Sequence, residues 1–282
     1  MDQKELQLPD TVSLPHPNRL LIIEPLDYPN PYNFHQAHRH DYFEIILVKS
    51  GHGFQIIDFN QHDMHAGQLY TIYPGQIHLM ERKSAEGMII QFRKNIFDLI
   101  HPIKHSHLYF TNPAFNADKE TFLHLYSLTE SIWVLLQQEE LSSLSIHKAY
   151  SYLQILLITL IEQHSDTVTL QGHQVVVQFI SLLAQYIKSK KKVADYCELI
   201  NCSPDKLNLA CKNSLGKTAL KLIHEELILE IRRMMLLNQL SLKEIAYELN
   251  FDSPANFSGF IKSCTGLTPT ALQSSILNKI YA

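Results

Sequence analysis

The stretch that decides the fold of the second half of the chain is Ser241–Gln273, which reads SLKEIAYELNFDSPANFSGFIKSCTGLTPTALQ. Ser241 and Glu244 have the S-x-x-E spacing of a capping box, in which two side chains satisfy backbone N–H groups at the start of a helix. Apolar residues follow at the spacing of a one-sided helix: Leu242, Ile245, Ala246 and Leu249. The sequence therefore predicts a short amphipathic helix that begins at Ser241.

A second helix is predicted about three residues after the first one ends. Asn250 suits the left-handed conformation that closes a helix, and Ser253 with Pro254 forms an N-cap followed by a proline at the first helical position. The inner face of this helix would carry Phe257, Phe260 and Ile261. The outward face would carry Ala255, Asn256, Ser258, Gly259 and Lys262. Helix, tight turn, helix is the arrangement of a helix-turn-helix, although an ordinary helical hairpin has the same pattern.

A repeat at an offset of 50 residues favours the helix-turn-helix. The matched positions share an N-cap serine, a proline, an apolar anchor, an outward lysine, a glycine and a threonine. They are Ser203, Pro204, Leu207, Lys212, Gly216 and Thr218, matched by Ser253, Pro254, Phe257, Lys262, Gly266 and Thr268. Two such units indicate two modules in tandem, and the apolar spacing over 222–237 predicts one long helix between them.

Residues Val175 to Ile280 resemble the DNA-binding domain of the AraC/XylS family of transcription regulators. The matching runs are IAYELNF, SP, SPDKL and GKT, followed by Phe257, Lys262, Gly266, Thr268 and Pro269. The resemblance implies that each second helix enters one of two successive major-groove segments on one face of double-stranded DNA. It also implies a homodimer that works with RNA polymerase.

Eight residues on the two second helices are candidate DNA contacts: Asp205, Lys206, Asn208, Lys212, Ala255, Asn256, Ser258 and Lys262. Asn208 and Asn256 are the best predicted base readers, because an asparagine amide can bond adenine N6 and N7. Ser258 and Lys262 are expected to anchor the DNA backbone. The chain departs from the family pattern at Glu226, Asn250, Gly259 and Gln273. Arginine is usual at the first, third and fourth of these positions and glycine at the second, so modest intrinsic affinity is expected.

Composition and charge favour a two-domain protein. The chain has 282 residues, 45% hydrophobic and 18% charged, which is enough for two globular domains and too apolar for disorder. Residues 175–282 contain 13 Lys and Arg and 9 Asp and Glu, which gives a net charge of +4. The residues before 175 carry a net charge of −8, so the whole chain has a net charge of −4. A basic half and an acidic half indicate different partners.

No targeting or membrane segment is predicted. The first 20 residues have no apolar signal core, and the apolar run Leu153 to Ile161 is too short to span a bilayer, so a cytoplasmic protein without membrane association is expected. The cysteines lack C-x-x-C spacing and are expected to be small core residues, with a redox or zinc role as the alternative. They are Cys197, Cys202, Cys211 and Cys264.

Short apolar runs separated by Gly, Asn and Pro predict several strands between about Leu20 and Phe97. The predicted fold class is therefore multi-domain α and β, with an N-terminal β-barrel of the cupin or jelly-roll type plus helices, and an all-α C-terminal domain with two helix-turn-helix motifs. The histidine-rich run at 38–44 and the PGQIH segment ending at His78 resemble the two motifs of a cupin barrel, a sensor domain commonly attached to AraC-type DNA-binding domains.

The cupin resemblance implies a polar site in the barrel. Its motif residues are His38, His40, Glu44 and His78. Three imidazoles and one carboxylate suit iron, manganese, nickel or zinc, although no cofactor is expected. The alternatives are hydrogen bonds to a small effector and histidines that are satisfied by their neighbours at the barrel rim. With Tyr73, one of several aromatic residues that could line a pocket, these four residues are the candidate effector contacts.

After Pro113 the pattern becomes helical, with one apolar face that begins at Phe122. A second face is leucine-rich and is a candidate dimer seam, with packing inside the monomer as the alternative. It carries Ala149, Leu153, Leu156, Leu157 and Leu160. The predicted domains are 1–163, a linker at 164–174, and 175–282. The lysine run Lys188 to Lys192 is either a phosphate contact or a solvated charge run.

The sequence thus predicts a ligand-responsive transcription regulator that binds DNA, a small-molecule effector and a second copy of itself. Two alternatives stay open. One is a metal-dependent cupin enzyme with a helical appendage, and the other is a regulator that answers to a protein partner instead of a small ligand.

Overall fold

The structure, a computed structural model, describes residues 11–28, 36–100, 108, 113–138, 140–164 and 174–281. The chain divides into two compact units, Met1–Thr167 and Val168–Ala282, and each is treated by itself. The predicted linker at 164–174 falls almost entirely on 165–173, outside the described residues, so its position stays a prediction.

In the described part of the N-terminal unit, the strands form two antiparallel sheets. The five-stranded sheet has the order β1 (Leu21–Pro25), β8 (Glu86–Phe92), β3 (Phe43–Ser50), β6 (Gln68–Ile72) and β9 (Ala114–Asn116). The four-stranded sheet has the order β2 (His38–Arg39), β7 (Ile77–Glu81), β4 (His52–Ile57) and β5 (Asn60–His65). The predicted β-rich fold class is confirmed, but the described strands make two sheets that do not close into one barrel.

The central strand β3 separates two apolar layers because alternate residues point to opposite faces of a sheet. Phe43, Ile45 and Leu47 belong to a core shared with the helices of this unit. Ile46 and Val48 point the other way and pack with Ile57 of β4 from the four-stranded sheet. Glu44 alternates with the first set and so lies on the face that looks between the sheets.

Two helices cover the five-stranded sheet: α1 (Lys119–Leu136) and α2 (Ser143–His164). A short 3-10 helix, Lys94–Asp98, precedes them. Asp118 caps α1, because its carboxylate accepts the backbone N–H of Thr121 at 2.9 Å.

The leucine-rich face of α2 is buried inside the monomer. Its five residues, Ala149, Leu153, Leu156, Leu157 and Leu160, have at most 2% exposure and belong to the core shared with α1 and the sheet. The structure therefore favours the second of the two predicted roles, packing in the monomer, and these side chains are unavailable as a dimer seam. Among the described residues, α2 is also the one helix long and apolar enough to cross a membrane by length and composition alone.

The described part of the C-terminal unit is helical. Its elements are α3 (Gln174–Tyr186), α4 (Val193–Ile200), α5 (Pro204–Leu215), α6 (Ala219–Leu237), α7 (Leu242–Glu248), α8 (Pro254–Thr265) and α9 (Pro269–Tyr281). Helices α4 and α5 form the first module, α7 and α8 form the second, and α6 connects them. The predicted long helix is confirmed, and one face of it is buried. That face includes Ile223, Leu227, Ile231, Met234 and Met235.

Candidate DNA-binding faces and effector site

The two modules are built by the same capping scheme. Ser203 caps α5 by accepting the N–H of Lys206 at 3.2 Å, and Ser253 caps α8 by accepting the N–H of Asn256 at 3.2 Å. Both helices end at a left-handed glycine that satisfies a carbonyl of the last turn. These C-caps are Gly216, with φ 67°, and Gly266, with φ 76°. The repeat in the sequence is therefore a structural repeat.

Burial on one side fixes which side of α5 and α8 is open to solvent. Leu207 and Cys211 are buried in α5, and Phe257 and Ile261 are buried at the equivalent positions of α8. We call the exposed residues on the opposite side the outward faces. They are Asp205, Lys206, Leu209, Lys212 and Asn213 in α5, and Ala255, Asn256, Gly259, Lys262 and Ser263 in α8. Six of the eight predicted DNA contacts lie on the outward faces, and their contact with DNA stays a prediction.

The other two predicted contacts, Asn208 and Ser258, occupy equivalent half-buried positions. The Asn208 side-chain oxygen accepts the backbone N–H of Ala219 at 3.0 Å, at the start of α6. The Ser258 hydroxyl donates to the carbonyl of Pro254 at 2.8 Å, within its own helix. Both polar groups bond inside the domain, so the structure does not support base reading by Asn208 or backbone anchoring by Ser258.

Two lysines of the predicted phosphate-contacting run have partners inside the domain. Lys188 Nζ lies 3.6 Å from a carboxylate oxygen of Glu230 and 3.8 Å from one of Glu248. Lys191 Nζ donates to the carbonyl of Asn250 and lies 4.0 Å from the ring centroid of Phe251. These contacts tie the loop before the first module to α6, to the end of α7 and to the turn that follows α7, which favours a structural role for both side chains.

Three of the departures from the family pattern have a place in the domain. Glu226 lies 3.5 Å from Arg233, a buried cation on the same helix. Asn250 adopts a φ of 51°, as predicted, and so takes the conformation that a turn glycine would supply. Gln273 donates to the side-chain oxygen of Asn238 at 3.4 Å. These residues are therefore compatible with an intact fold.

In the N-terminal unit, four of the five predicted effector contacts come together between the sheets. The register of β2 and β7 places His38 opposite His78, with ring centroids 4.3 Å apart. The His40 ring lies 5.0 Å from that of His78, and His78 Nδ1 lies 3.9 Å from a Glu44 oxygen. One ligand atom from each of His40, Glu44 and His78 falls within 4.8 Å of the others. We call these four residues the histidine cluster.

Hydrogen bonds orient two members of the histidine cluster. His40 Nδ1 donates to the carbonyl of Tyr42 at 2.6 Å, which leaves a lone pair on Nε2. Gln91 donates to Glu44 at 2.9 Å. Within the described residues, His40 Nε2 and both ring nitrogens of His78 have no hydrogen-bond partner. Buried polar atoms normally have partners, so this arrangement is suited to a bound group.

Burial also sets the protonation of the histidine cluster. Desolvation lowers the pKa of His40 to about 3 and that of His38 to about 4, and it holds the pKa of His78 well below its usual value. Desolvation raises the pKa of Glu44 to about 7, against the hydrogen bond from Gln91. The imidazoles are therefore neutral near pH 7, and neutral nitrogens can accept hydrogen bonds or bind a metal ion.

Sequence reasoning did not select Gln55, Gln91 or His62 for this site. The register of β4 and β5 places Gln55 opposite His62, and the pairing of β4 with β7 puts Gln55 on the same inward face as His78. Among the described residues, both amide atoms of Gln55 and the Nε2 of His62 are buried without a partner. The sequence signal for Gln55 was a polar residue in the strand HGFQII at a position that shares its face with Ile57. An apolar side chain would be expected at such a position.

Tyr73, the fifth predicted effector contact, lies elsewhere. Its half-buried ring packs against the core formed by the outer face of the five-stranded sheet and the helices, whereas the histidine cluster faces the other sheet. Tyr73 follows the inward Ile72 directly, so strand alternation sends its side chain to the opposite face. Tyr70, two positions away from Ile72, points between the sheets instead.

Comparisons with known proteins match both units. Residues 196–275 match a family described as a helix-turn-helix domain, and residues 21–193 match the AraC-like ligand binding domain. The transcriptional activator RhaR of Mannheimia succiniciproducens is 20% identical over 264 residues, covering 92% of this chain and 93% of RhaR. RhaR of Escherichia coli K12 is 22% identical over 251 residues, covering 85% and 87%. Among solved structures, fatty acid-bound ToxT of Vibrio cholerae has a TM-score of 0.42 at 16% identity, covering 91% of this chain and 95% of ToxT.

Proposed function

This chain belongs to the AraC family of transcription regulators, and from that premise we propose that the outward faces of α5 and α8 bind DNA while the histidine cluster binds the effector. The observation that supports the first part is the structural repeat, which presents two equivalent exposed helix faces. The observation that supports the second part is a set of buried, unpartnered polar atoms between the sheets.

On DNA, each outward face lies in a major-groove segment. Lys206, Lys212 and Lys262 meet phosphates, because lysine ammonium groups neutralise the backbone without reading sequence. Asn256 reads adenine through its amide, and Asp205 accepts from the amino group of cytosine.

Selection of bound fragments from genomic DNA by the full-length protein, with and without candidate metabolites, tests the proposed function. Recovery of sites with two conserved segments on one face of the duplex, enriched or depleted by a metabolite, is the expected result. Recovery of no preferred sequence would contradict it.

The proposed effector is a small polar molecule that offers both hydrogen-bond donors and acceptors. Donors on the effector would pair with His40 Nε2, a nitrogen of His78 and the carboxyl group of Glu44, while an acceptor would meet the amide nitrogen of Gln55. Pairing removes the cost of leaving buried polar atoms unsatisfied, which is about 1–3 kcal/mol for each group.

Thermal unfolding in the presence of polyols, sugars and hydroxy acids tests this class of effector, since a ligand that binds only the folded state raises the midpoint. His78→Ala is expected to abolish the shift. Tyr73→Ala is the matched control and should retain it, because Tyr73 packs on the opposite face of the sheet. A shift that survives His78→Ala would place the effector elsewhere.

We propose that effector binding acts by a population shift, in which the effector favours one arrangement of the DNA-binding units over another. The size of the response is then limited by the difference in effector affinity between the two arrangements.

A divalent cation in the histidine cluster is a second candidate, favoured by the 4.8 Å grouping of His40, Glu44 and His78. The donor set fits, because two neutral imidazoles and one carboxylate suit transition metals, and the bond from His40 Nδ1 to a carbonyl is the outer contact that usually orients a ligating imidazole. These three residues would hold the ion, which would supply a Lewis-acidic contact to an oxygen of the effector.

Elemental analysis after dialysis against zinc or manganese chloride tests this candidate, with one ion per chain expected for the wild type and none for His78→Ala. Stoichiometric metal together with no DNA affinity would instead favour the enzyme alternative.

The remaining parts of the proposal follow from the family. We propose a cytoplasmic homodimer that contacts RNA polymerase, acts as an activator like the named RhaR relatives, and catalyses no reaction. Because the leucine-rich face of α2 is buried, the homodimer must use another surface. Sedimentation of the full-length chain with and without operator DNA checks the oligomeric state.

A further inference from the structure

Leu209 is an apolar side chain at the centre of a polar surface. It is 61% exposed in the middle of the outward face of α5, with Asp205 and Lys206 one turn before it and Lys212 and Asn213 one turn after it. Positions three and four apart are neighbours on a helix, so the four polar residues surround Leu209. Because this side chain is largely exposed to water, it contributes little burial energy to the stability of the free protein.

We infer that Leu209 contacts the C5-methyl group of a thymine and gives the first module a preference for thymine at one position of its site. This inference rests on the proposed DNA-binding role of α5. In the major groove the C5-methyl group is an apolar feature that distinguishes thymine from the other bases, and apolar side chains recognise it by contact. The surrounding lysines would bring the helix to the phosphates while the leucine reaches the base edges.

The second module has no equivalent reader at this place. The residue 50 positions after Leu209 is Gly259, and a Cβ built there meets no atom within 4 Å, so the middle of the outward face of α8 is open. A thymine contact from the middle of the outward face therefore belongs to the first module alone, and the two modules of one chain read unequal segments.

Replacement of thymine by deoxyuridine tests the contact, because it removes the methyl group and leaves every hydrogen-bonding atom of the base in place. The probes are duplexes recovered from a random-sequence pool by the full-length protein, with each thymine replaced in turn. The proteins are the wild type, Leu209→Ala and Leu199→Ala. Leu199 is the matched control, a leucine that is 45% exposed on α4 and outside the outward faces.

For the wild type, one replacement in one segment should weaken binding by roughly threefold to tenfold, the size expected for burying one methyl group. For Leu209→Ala the same replacement should leave the affinity nearly unchanged. For Leu199→Ala it should weaken binding as much as it does for the wild type. The inference is overturned if deoxyuridine weakens the binding of Leu209→Ala as much as that of the wild type. It is also overturned if no thymine replacement weakens the binding of the wild type. A wild-type protein that selects no sequence at all overturns the proposed function itself, which is a different result.

Discussion

The side-chain oxygen of Asn208 accepts the backbone N–H of Ala219 at 3.0 Å, across the turn between α5 and α6. Ala219 is the first residue of α6 and is fully buried, so its N–H has no access to water. The bond therefore secures the start of the connecting helix α6 on α5 of the first module.

Asn208→Ala is expected to destabilise the C-terminal unit by about 1–2 kcal/mol, because a buried donor loses its acceptor. The base preference in a binding-site selection should not change. Asn208→Asp is the control, since a carboxylate keeps the acceptor. Urea unfolding followed by helical circular dichroism measures the first effect. Relaxed preference at one base position, with stability unchanged, would restore Asn208 as a reader.

The exposed lysines Lys212 and Lys262 occupy equivalent positions near the ends of α5 and α8. If each neutralises one phosphate, Lys262→Ala should weaken binding equally on specific and unrelated DNA and reduce the slope of log K against log salt by about 1, and the double variant should reduce it by about 2. Titrations at several salt concentrations provide the slopes. A loss confined to the specific site would contradict phosphate contact.

The helix boundaries of the C-terminal unit could be predicted from the sequence because the signals are local. Each signal acts within a few residues: the capping box at Ser241 and Glu244, the serine N-caps and the C-cap glycines. The same N-cap and C-cap residues occur in both modules, which supported the prediction of the helix ends. The side-chain direction of Asn208 could not be predicted in this way. It depends on the position of Ala219, which becomes a neighbour only after the turn has folded.

The site in the N-terminal unit was predicted in part. The motif residues His38, His40, Glu44 and His78 come together because strand register pairs them. Gln55 and Gln91 were missed because their inward direction depends on the pairing of β4 and β8 with distant strands, which period-2 alternation alone does not establish. Tyr73 was wrongly included for the same reason, because only the packed structure shows that Ile72 faces between the sheets and Tyr73 away from them.

Gly259 is exposed within α8, and a Cβ there meets no atom within 4 Å. Gly259→Ala should stabilise the protein by about 0.5–1 kcal/mol, because glycine loses more backbone entropy than alanine in a helix interior. Thermal unfolding without DNA measures the gain. Gly266→Ala is the contrasting control and should destabilise, since Gly266 has a φ of 76°. A destabilised Gly259→Ala would mean that the space around the helix is not open.

Lys191 lies over the ring of Phe251 and donates to the carbonyl of Asn250. Lys191→Ala should therefore cost about 1 kcal/mol of stability through loss of the cation–π contact. Lys190→Ala, in the same lysine run, is the comparison and should cost less. Unfolding midpoints of both variants distinguish a structural role of Lys191 from the phosphate contact predicted for this run. Equal losses of DNA affinity with unchanged midpoints would favour phosphate contact.

Glu44 should make the stability of the N-terminal unit depend on pH. Burial raises the pKa of Glu44 to about 7 from 4.5, so between these pH values the folded protein holds a proton that the unfolded chain releases. The stability contributed by this group is present below pH 4.5 and is lost as pH rises through 7, by at most about 3 kcal/mol. Glu44→Gln removes this titration and keeps an oxygen that can accept from Gln91.

Chelator-treated Glu44→Gln should therefore become progressively more stable than the wild type as pH rises from 4.5 to 7, with a constant difference above that range. The histidines titrate in both proteins and largely cancel in the comparison. Trp133 lies in α1 and is the single tryptophan of the chain, so its fluorescence during urea unfolding reports the N-terminal unit. Glu162→Gln, exposed on α2, is the matched control for removing one carboxyl group away from the histidine cluster. Parallel stability curves for Glu44→Gln and the wild type would show that Glu44 ionises freely in the folded state.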